Sequence, residues 1–218
     1  MKVHIFLQGL FLFSKLESKF IVLDGPDGCG KSTQTNLLAE WVRDKGVEVS
    51  TFRDPGTTAI GEQIRQILLN PEHVAMGTTT ELLLYMAARA QLWHEEIGPA
   101  LKNKHCVILD RWLSSTCAYQ GYAGGYPIEK IIQIASDSLE KAWPDLTVVL
   151  DIDLESAGPR LNRTLDRMEL KGKEYHEKVR QGFLKLAESR DGFVVVNAAE
   201  KIEEVHKNVV QALESNLG

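Results

Sequence analysis

An apolar run that stops in a glycine-rich turn, Phe20-Ile-Val-Leu-Asp-Gly-Pro-Asp-Gly-Cys-Gly-Lys-Ser-Thr33, constrains this chain more than any other stretch. Gly25 and Gly30 stand at the spacing of G-x-x-x-x-G-K-S, which Lys31 and Ser32 complete. Glycines lack Cβ atoms, so the backbone N–H groups of such a loop can close on phosphate oxygens. The lysine and the serine hydroxyl then reach the terminal phosphates and a Mg²⁺ ion. A helix beginning near Lys31 adds the positive end of its dipole at the same place. The pattern also occurs as a plain turn in unrelated loops. Here a strand-like run precedes it and a helix-like run follows, which is the context its chemistry needs. Gly25, Pro26, Asp27, Gly28, Cys29, Gly30, Lys31, Ser32 and Thr33 are therefore read as a nucleotide phosphate loop.

Strand-like and helix-like runs alternate from Phe20 onwards, with no internal repeat and no low-complexity linker. The pattern predicts helices over 33–45, 60–69, 79–102 (with Pro99 as a break), 127–141 and 202–213. It predicts strands over 20–24, 47–52, 105–110, 146–151 and 193–196, and one heavily charged helical region over 154–190. Such alternation implies an α/β fold: a doubly wound, five-stranded parallel sheet flanked by helices, whose ligands gather at the carboxyl ends of the strands. Asp24 to Lys31, Arg53-Asp54 and Asp110-Arg111 all fall at such ends.

With 218 residues the chain suits one domain or a domain with a lid. A formal charge of −5 argues against a dedicated binder of nucleic-acid polymers, which normally shows a basic face, but allows a small anionic ligand. The cysteines at 29, 106 and 117 have no C-x-x-C spacing and suit a reduced, cytoplasmic protein. Cys106 reads as core, and Cys29 as a small filler of the loop or, less simply, an oxidisable thiol. The six histidines show no metal-ligand spacing. Residues 1–19 carry an apolar segment from Ile5 to Phe13 that is too short to span a bilayer and lacks a small-residue cleavage site. They are read as an N-terminal extension or a misassigned start, and 20–218 as the domain.

Other residues bear on the loop. Arg111 is suited either to bidentate phosphate binding or to an Arg–Asp pair tying loop to sheet. Tyr85 and Arg89, four apart, share a helical face; the pair suits a base-stacking ring beside a phosphate-binding guanidinium, and equally a core aromatic. Arg160, Arg163 and Arg167 follow at spacings of three and four, which on a helix crowds like charges on one face. That is either a solvated face or an arginine lid over a triphosphate.

From Phe20 to the C-terminal helix the chain resembles the thymidylate kinases, P-loop enzymes that pass the γ-phosphoryl group of ATP to dTMP. The resemblance is carried by Leu23 to Thr33, Arg53-Asp-Pro-Gly56, Glu81-Leu-Leu-Leu-Tyr-Met-Ala-Ala-Arg-Ala-Gln-Leu92, Asp110-Arg-Trp-Leu-Ser-Ser-Thr-Cys-Ala-Tyr-Gln-Gly121, Pro144 to Asp151 and Leu165-Asp-Arg-Met-Glu169. The loop is common to many kinases, whereas the run from Asp110 to Gly121 is far more specific.

The resemblance implies that Asp27 lies beside the acceptor sugar and that Arg53, Arg89 and Arg111 hold the dTMP phosphate. It places Tyr85 on thymine, with Ser115, Thr116 and Gln120 lining the base and sugar pocket and Tyr119 packing under the deoxyribose. It further implies Mg²⁺ held through Ser32 and Asp110, ATP as donor, a homodimer built on the helix from Thr79, and no membrane. Gly28 stands where some members carry an arginine, so the catalytic arginine is expected from the short lid at about 157–170: Arg160, Arg163 or Arg167, beside Lys31, Arg111 and Asp27. Thr57 departs from the usual Pro-Gly-Gly-Thr. The alternatives are a kinase of another nucleoside monophosphate or of a deoxynucleoside, and a nucleotide-binding regulator without catalysis.

Overall fold

The structure, a computed structural model, describes residues 14–161 and 164–217. Five strands form one parallel sheet: β1 (Phe20–Asp24), β2 (Val49–Arg53), β3 (Cys106–Asp110), β4 (Leu146–Asp151) and β5 (Phe193–Asn197). Their spatial order is β2-β3-β1-β4-β5, with every pairing parallel. The chain leaves β1 towards one edge and later returns to the other, so a crevice opens beyond the carboxyl end of β1, where the glycine-rich loop lies.

A parallel strand covered on both faces reads as a continuous apolar run, and Phe20 to Leu23 are all fully buried. Alternate residues serve opposite layers. Ile21 and Leu23 pack with Leu38 and Val42 of α1 (Lys31–Asp44) and with Val205, Val209 and Leu213 of the C-terminal helix Ile202–Leu217. Phe20 and Val22 pack with Leu82, Met86, Trp93 and Trp112 on the other face, Phe20 meeting Trp112 edge-on at 5.2 Å between ring centroids. The layers hold β1 from both sides, which fixes the start of the loop.

The helix α2 (Ala59–Leu69) follows β2, and α3 (Thr78–Leu92) packs beside it. The long helix expected to Lys102 does reach that residue, but its ladder changes before Pro99. Trp93–Ile97 is a π-helical turn in which the Gly98 N–H donates to the Trp93 carbonyl, and Gly98–Lys102 resumes as α-helix. Pro99 has no N–H to offer and sits at the start of that last segment, where none is needed.

The single helical region expected over 154–190 is not present. Leu154–Ala157 is one short turn, Gly158–Arg160 and Glu169–Lys171 are 3-10 turns, and a true helix runs only over Lys173–Ser189. Local chemistry breaks the rod. Pro159 lacks a donor, Gly172 takes φ 82°, and the Asp166 carboxylate accepts the backbone N–H groups of Met168 and Glu169 in place of helical carbonyls. Arg160 and Arg167 therefore do not share a helical face, and Arg163 lies outside the described residues. Among the described residues no helix is long and apolar enough to cross a membrane, and no cluster of three His, Cys, Asp or Glu could hold a metal.

Candidate active site

Beyond the carboxyl ends of β1, β2 and β3 lies a cavity of about 340 Å³. The loop residues Asp27, Gly28, Gly30, Lys31, Ser32 and Thr33 line one side. Arg53, Tyr85, Arg89, Arg111, Ser115, Thr116, Tyr119 and Gln120 line the other. Most of the residues expected from the sequence thus line one continuous space; Gly25, Pro26, Cys29, Arg160 and Arg167 do not, and Arg163 lies outside the described residues.

The loop's glycines are needed where they stand. Gly25 has φ 137°, and a Cβ there would lie 2.5 Å from the Leu150 carbonyl oxygen. Gly28 has φ 80°, and its Cβ would lie 2.7 Å from the Ala157 carbonyl oxygen, where the lid begins. An arginine at 28 is excluded in this arrangement by the lid's own backbone. Lys31 is buried, and its Nζ donates to the carbonyls of Gly25 at 3.2 Å and Pro26 at 2.7 Å. Cys29 is buried too, and burial pushes its thiol up from its ordinary pKa, so it behaves as the neutral filler and not as a reactive thiolate.

Arg111 occupies the left-handed region at φ 71°, an uncommon place for a non-glycine residue. Its guanidinium donates to the Gly25 carbonyl at 2.9 Å and the Ser115 hydroxyl at 3.0 Å, pairs with the Asp27 carboxylate and stacks 5.3 Å above the Tyr119 ring. Beneath it the fully buried Asp24 accepts the hydroxyls of Ser114 and Ser115, each at 2.6 Å. The Asp24 role was not legible in the sequence beyond its place at a strand end. Tyr119 Oη donates to the other Asp27 oxygen at 2.6 Å. Burial raises the Asp27 pKa, but Arg111, Lys31 and the Tyr119 hydroxyl outweigh it and bring the carboxyl down to about 2. Asp27 is therefore a fixed anion at neutral pH.

Two expected phosphate ligands are held differently. Arg89 is 1% exposed; it pairs with Asp54 at 2.6 Å, donates to Thr116 Oγ1 at 3.0 Å and lies 5.1 Å above the Trp112 ring. It borders the cavity as part of a buried wall. Arg53 is half exposed and bonded to Glu62 at 2.8 Å, so it retains donors that face outward. Arg65 of α2, missed in the sequence because it lies in the helix after the strand-end turn, also lines the cavity and donates to the Pro55 carbonyl at 2.9 Å. Thr57 adopts φ 69°, which explains the glycine usual there. Its hydroxyl accepts from the Arg53 N–H at 3.0 Å and its own N–H donates to Glu62 at 2.7 Å.

Of the lid arginines, Arg160 donates to the Ala198 carbonyl at 3.0 Å. Arg167 is buried and points away from the phosphate loop, pairing with Glu81 at 2.6 Å and donating to the Leu68 carbonyl at 2.6 Å. The structure does not bring it to the loop, because a buried carboxylate claims it. Ser32 Oγ donates to Asp110 Oδ2 at 2.7 Å, which places the two expected metal ligands together.

This geometry is a phosphate loop sharing a cavity with a second, arginine- and tyrosine-lined pocket. The family model described as thymidylate kinase matches residues 23–209. The chain belongs to the thymidylate kinase family. It is 40% identical over 204 residues to the thymidylate kinase of Caldanaerobacter subterraneus subsp. tengcongensis, covering 93% of this chain and 98% of that one. To the thymidylate kinase of Geobacillus sp. it is 39% identical, covering 91% and 97%. The crystal structure of thymidylate kinase from Ehrlichia chaffeensis superimposes with a TM-score of 0.73 at 30% identity, over 90% of this chain and 98% of that chain. The P-loop fold expected for this family is thereby matched in a solved relative.

Proposed function

We propose that this protein transfers the γ-phosphoryl group of ATP to dTMP, giving ADP and dTDP. One observation carries the reading: the cavity holding Lys31 and Ser32 is continuous with the pocket of Arg53, Tyr85, Arg111 and Tyr119. Donor and acceptor thus have adjoining places under one field. The acceptor is a phosphate monoester whose second pKa of about 6 leaves it mostly dianionic at neutral pH, so no general base is needed. Asp27, held at about 2, is unsuited to take a proton at pH 7 and suited to accept a hydrogen bond from the acceptor's sugar hydroxyl.

The loop N–H groups and Lys31 hold the donor's β- and γ-phosphates, Lys31 exchanging its two loop carbonyls for phosphate oxygens. Arg111 and Arg53 hold the acceptor phosphate, and Tyr85 stacks on thymine. Tyr119 lies under the deoxyribose, where a 2′-hydroxyl is crowded. Arg89 is assigned to the wall of the base pocket through Thr116 and not to the phosphate. The lid contributes the transition-state cation, with Arg160 a candidate and Arg163, outside the described residues, the other.

Ser32 and Asp110 fit Mg²⁺, which takes one or two protein oxygens and completes its shell with phosphates and water. When bound it neutralises charge on the donor's phosphates. On α3 Leu83 and Ala87 are exposed, Leu83 to 52%, while Ala90 packs against the core; Ile60 and Ile67 of the adjoining α2 are 49% and 43% exposed. That face is assigned to a homodimer. We place the enzyme in the cytoplasm, where its three free thiols stay reduced.

The test is ADP release with dTMP, dUMP, CMP, AMP and thymidine as acceptors. dTMP is expected to turn over fastest, and turnover of another acceptor with none for dTMP would refute the assignment.

A further inference from the structure

Tyr119 stands in a π-helical turn, Cys117–Ala123, a rare local form found mostly at functional sites. It is buried, it lines the cavity, and its hydroxyl is spent on Asp27. A second tyrosine backs it. Tyr175, in the first turn of the helix Lys173–Ser189, donates its hydroxyl to the Tyr119 backbone carbonyl at 2.7 Å. Its ring meets the Tyr119 ring edge-on at 6.4 Å between centroids, and Phe183, further along the same helix, does so at 6.2 Å. A Cβ on Gly182 would lie 2.8 Å from Tyr122 Cβ, so this helix rests directly on the π-helical turn. The Lys171 ammonium lies 4.8 Å above the Tyr175 ring and braces it from the 3-10 turn Glu169–Lys171. Burial and the nearby Glu81 push the Tyr175 hydroxyl well above the usual phenol range, so it keeps its proton and stays a donor. Tyr175 does not itself line the cavity, so it acts on a substrate through Tyr119.

A ring rejects one extra hydroxyl by contact alone, and such rejection reaches only about 100-fold. It is lost once the ring can retreat by about 1 Å, so what stands behind the ring matters as much as the ring. We propose that Tyr175 is a positioning residue for sugar selection: its hydroxyl pins the Tyr119 backbone, so that the ring beneath the deoxyribose cannot yield to a 2′-hydroxyl. The inference rests on the placing of Tyr119 under the acceptor's sugar. A phenylalanine at 175 would supply the same edge contact and leave the Tyr119 carbonyl without this donor. The hydroxyl, and not the ring, is therefore the part that selection uses.

The test compares dissociation constants by calorimetry for dTMP and ribothymidine 5′-monophosphate, which differs from it by the 2′-hydroxyl alone. It uses the full-length protein, Tyr175→Phe, Tyr119→Ala and the double variant Y175F/Y119A, each checked for a cooperative melt. The wild-type protein is expected to prefer dTMP by at least about tenfold. In Y175F that preference should fall by at least about threefold through tighter binding of the ribonucleotide, with the affinity for dTMP changed by less than about twofold. It should collapse towards one in Y119A, and Y175F should lower it no further in that background. A wild-type preference in folded Y175F overturns the role of Tyr175 while leaving the site assignment intact. Equal weakening of both nucleotides marks a merely structural residue and overturns it too. A preference in Y119A as large as that of the wild-type protein refutes the placing of Tyr119 under the sugar, and failure of the wild-type protein to bind dTMP refutes the site itself.

Discussion

Replacing Asp27 by asparagine tests the electrostatic centre of the site with almost no change of shape. The carboxylate accepts the Tyr119 hydroxyl at 2.6 Å, faces the Arg111 guanidinium and sits with its pKa lowered from 3.8 to about 2. A carboxyl depressed on folding stabilises the folded state above its unfolded pKa and loses that contribution as pH falls through the folded value. The fall from 3.8 to about 2 is worth roughly 2 kcal/mol at neutral pH, at about 1.4 kcal/mol for each tenfold change in proton affinity. Between pH 5 and pH 3 about 1 kcal/mol of it disappears in the wild-type protein. Asp27→Asn should therefore be less stable by roughly 2 kcal/mol at pH 7, a melting point lower by about 4–8 °C for a chain of this size. The gap should narrow by about 1 kcal/mol by pH 3. Urea titrations of both proteins from pH 7 to pH 3 measure it. A gap that is absent at pH 7, or that stays constant across the range, would refute the claim that Asp27 is a stabilised anion. Its kcat should fall as well, since Arg111 loses the partner that aims it.

Three further substitutions probe separate parts of the site. Lys31→Ala should lower kcat by at least ~100-fold while leaving circular dichroism unchanged, because the lysine's hydrogen-bond partners among the described residues are loop atoms; near-normal turnover would remove the loop from the mechanism. Gly28→Ala should cost about 1–2 kcal/mol from the positive φ alone and raise the KM for ATP, because the new Cβ meets the Ala157 carbonyl; thermal melts and initial rates check both. Arg89→Met should cost roughly 3–5 kcal/mol by leaving Asp54 charged and buried alone. In the background of Asp54→Leu the same change should cost much less, and a purely additive cycle in urea denaturation would count against the pair.

The parts of this molecule that could be read from the chain are those set by near neighbours in sequence. The loop from Gly25 to Thr33, the buried strand runs and the amphipathic helices all follow from local pattern, and the structure places most of the expected site residues, though not the lid arginines, round one cavity. What could not be read depends on burial and on partners far apart in sequence. Arg160, Arg163 and Arg167 looked alike as a spacing of charges. Arg167 is distinguished only by Glu81, which the fold brings from the start of α3. Spacing and motif both point Arg89 at phosphate, and its pairing with Asp54 is visible only once the turn after β2 meets α3. The broken lid could have been anticipated, since Gly158-Pro159, Asp166 and Gly172 are each poor in a helix interior. Their joint effect outweighed the charged, helix-favouring residues around them.

The same pairings divide the cations of the site by task. An arginine offers five donors in a fixed fork, so one held by a buried carboxylate is spent on architecture while one held at its edge keeps donors for a ligand. Arg89 and Arg167 are buried against Asp54 and Glu81, and removing either leaves a charge the interior cannot solvate. Arg53 is half exposed beside an exposed Glu62, and among the described residues Lys31 bonds to backbone carbonyls and a thiol. These two can change partners at little cost when a phosphate arrives. Arg111 stands between the classes, tied to Asp24 and Asp27 yet bordering the cavity. The loop side of the cavity can thus adjust to the donor's phosphates while the base pocket stays rigid, which is the division a two-substrate phosphoryl transfer needs: mobile charge where the group moves and fixed geometry where the acceptor is chosen.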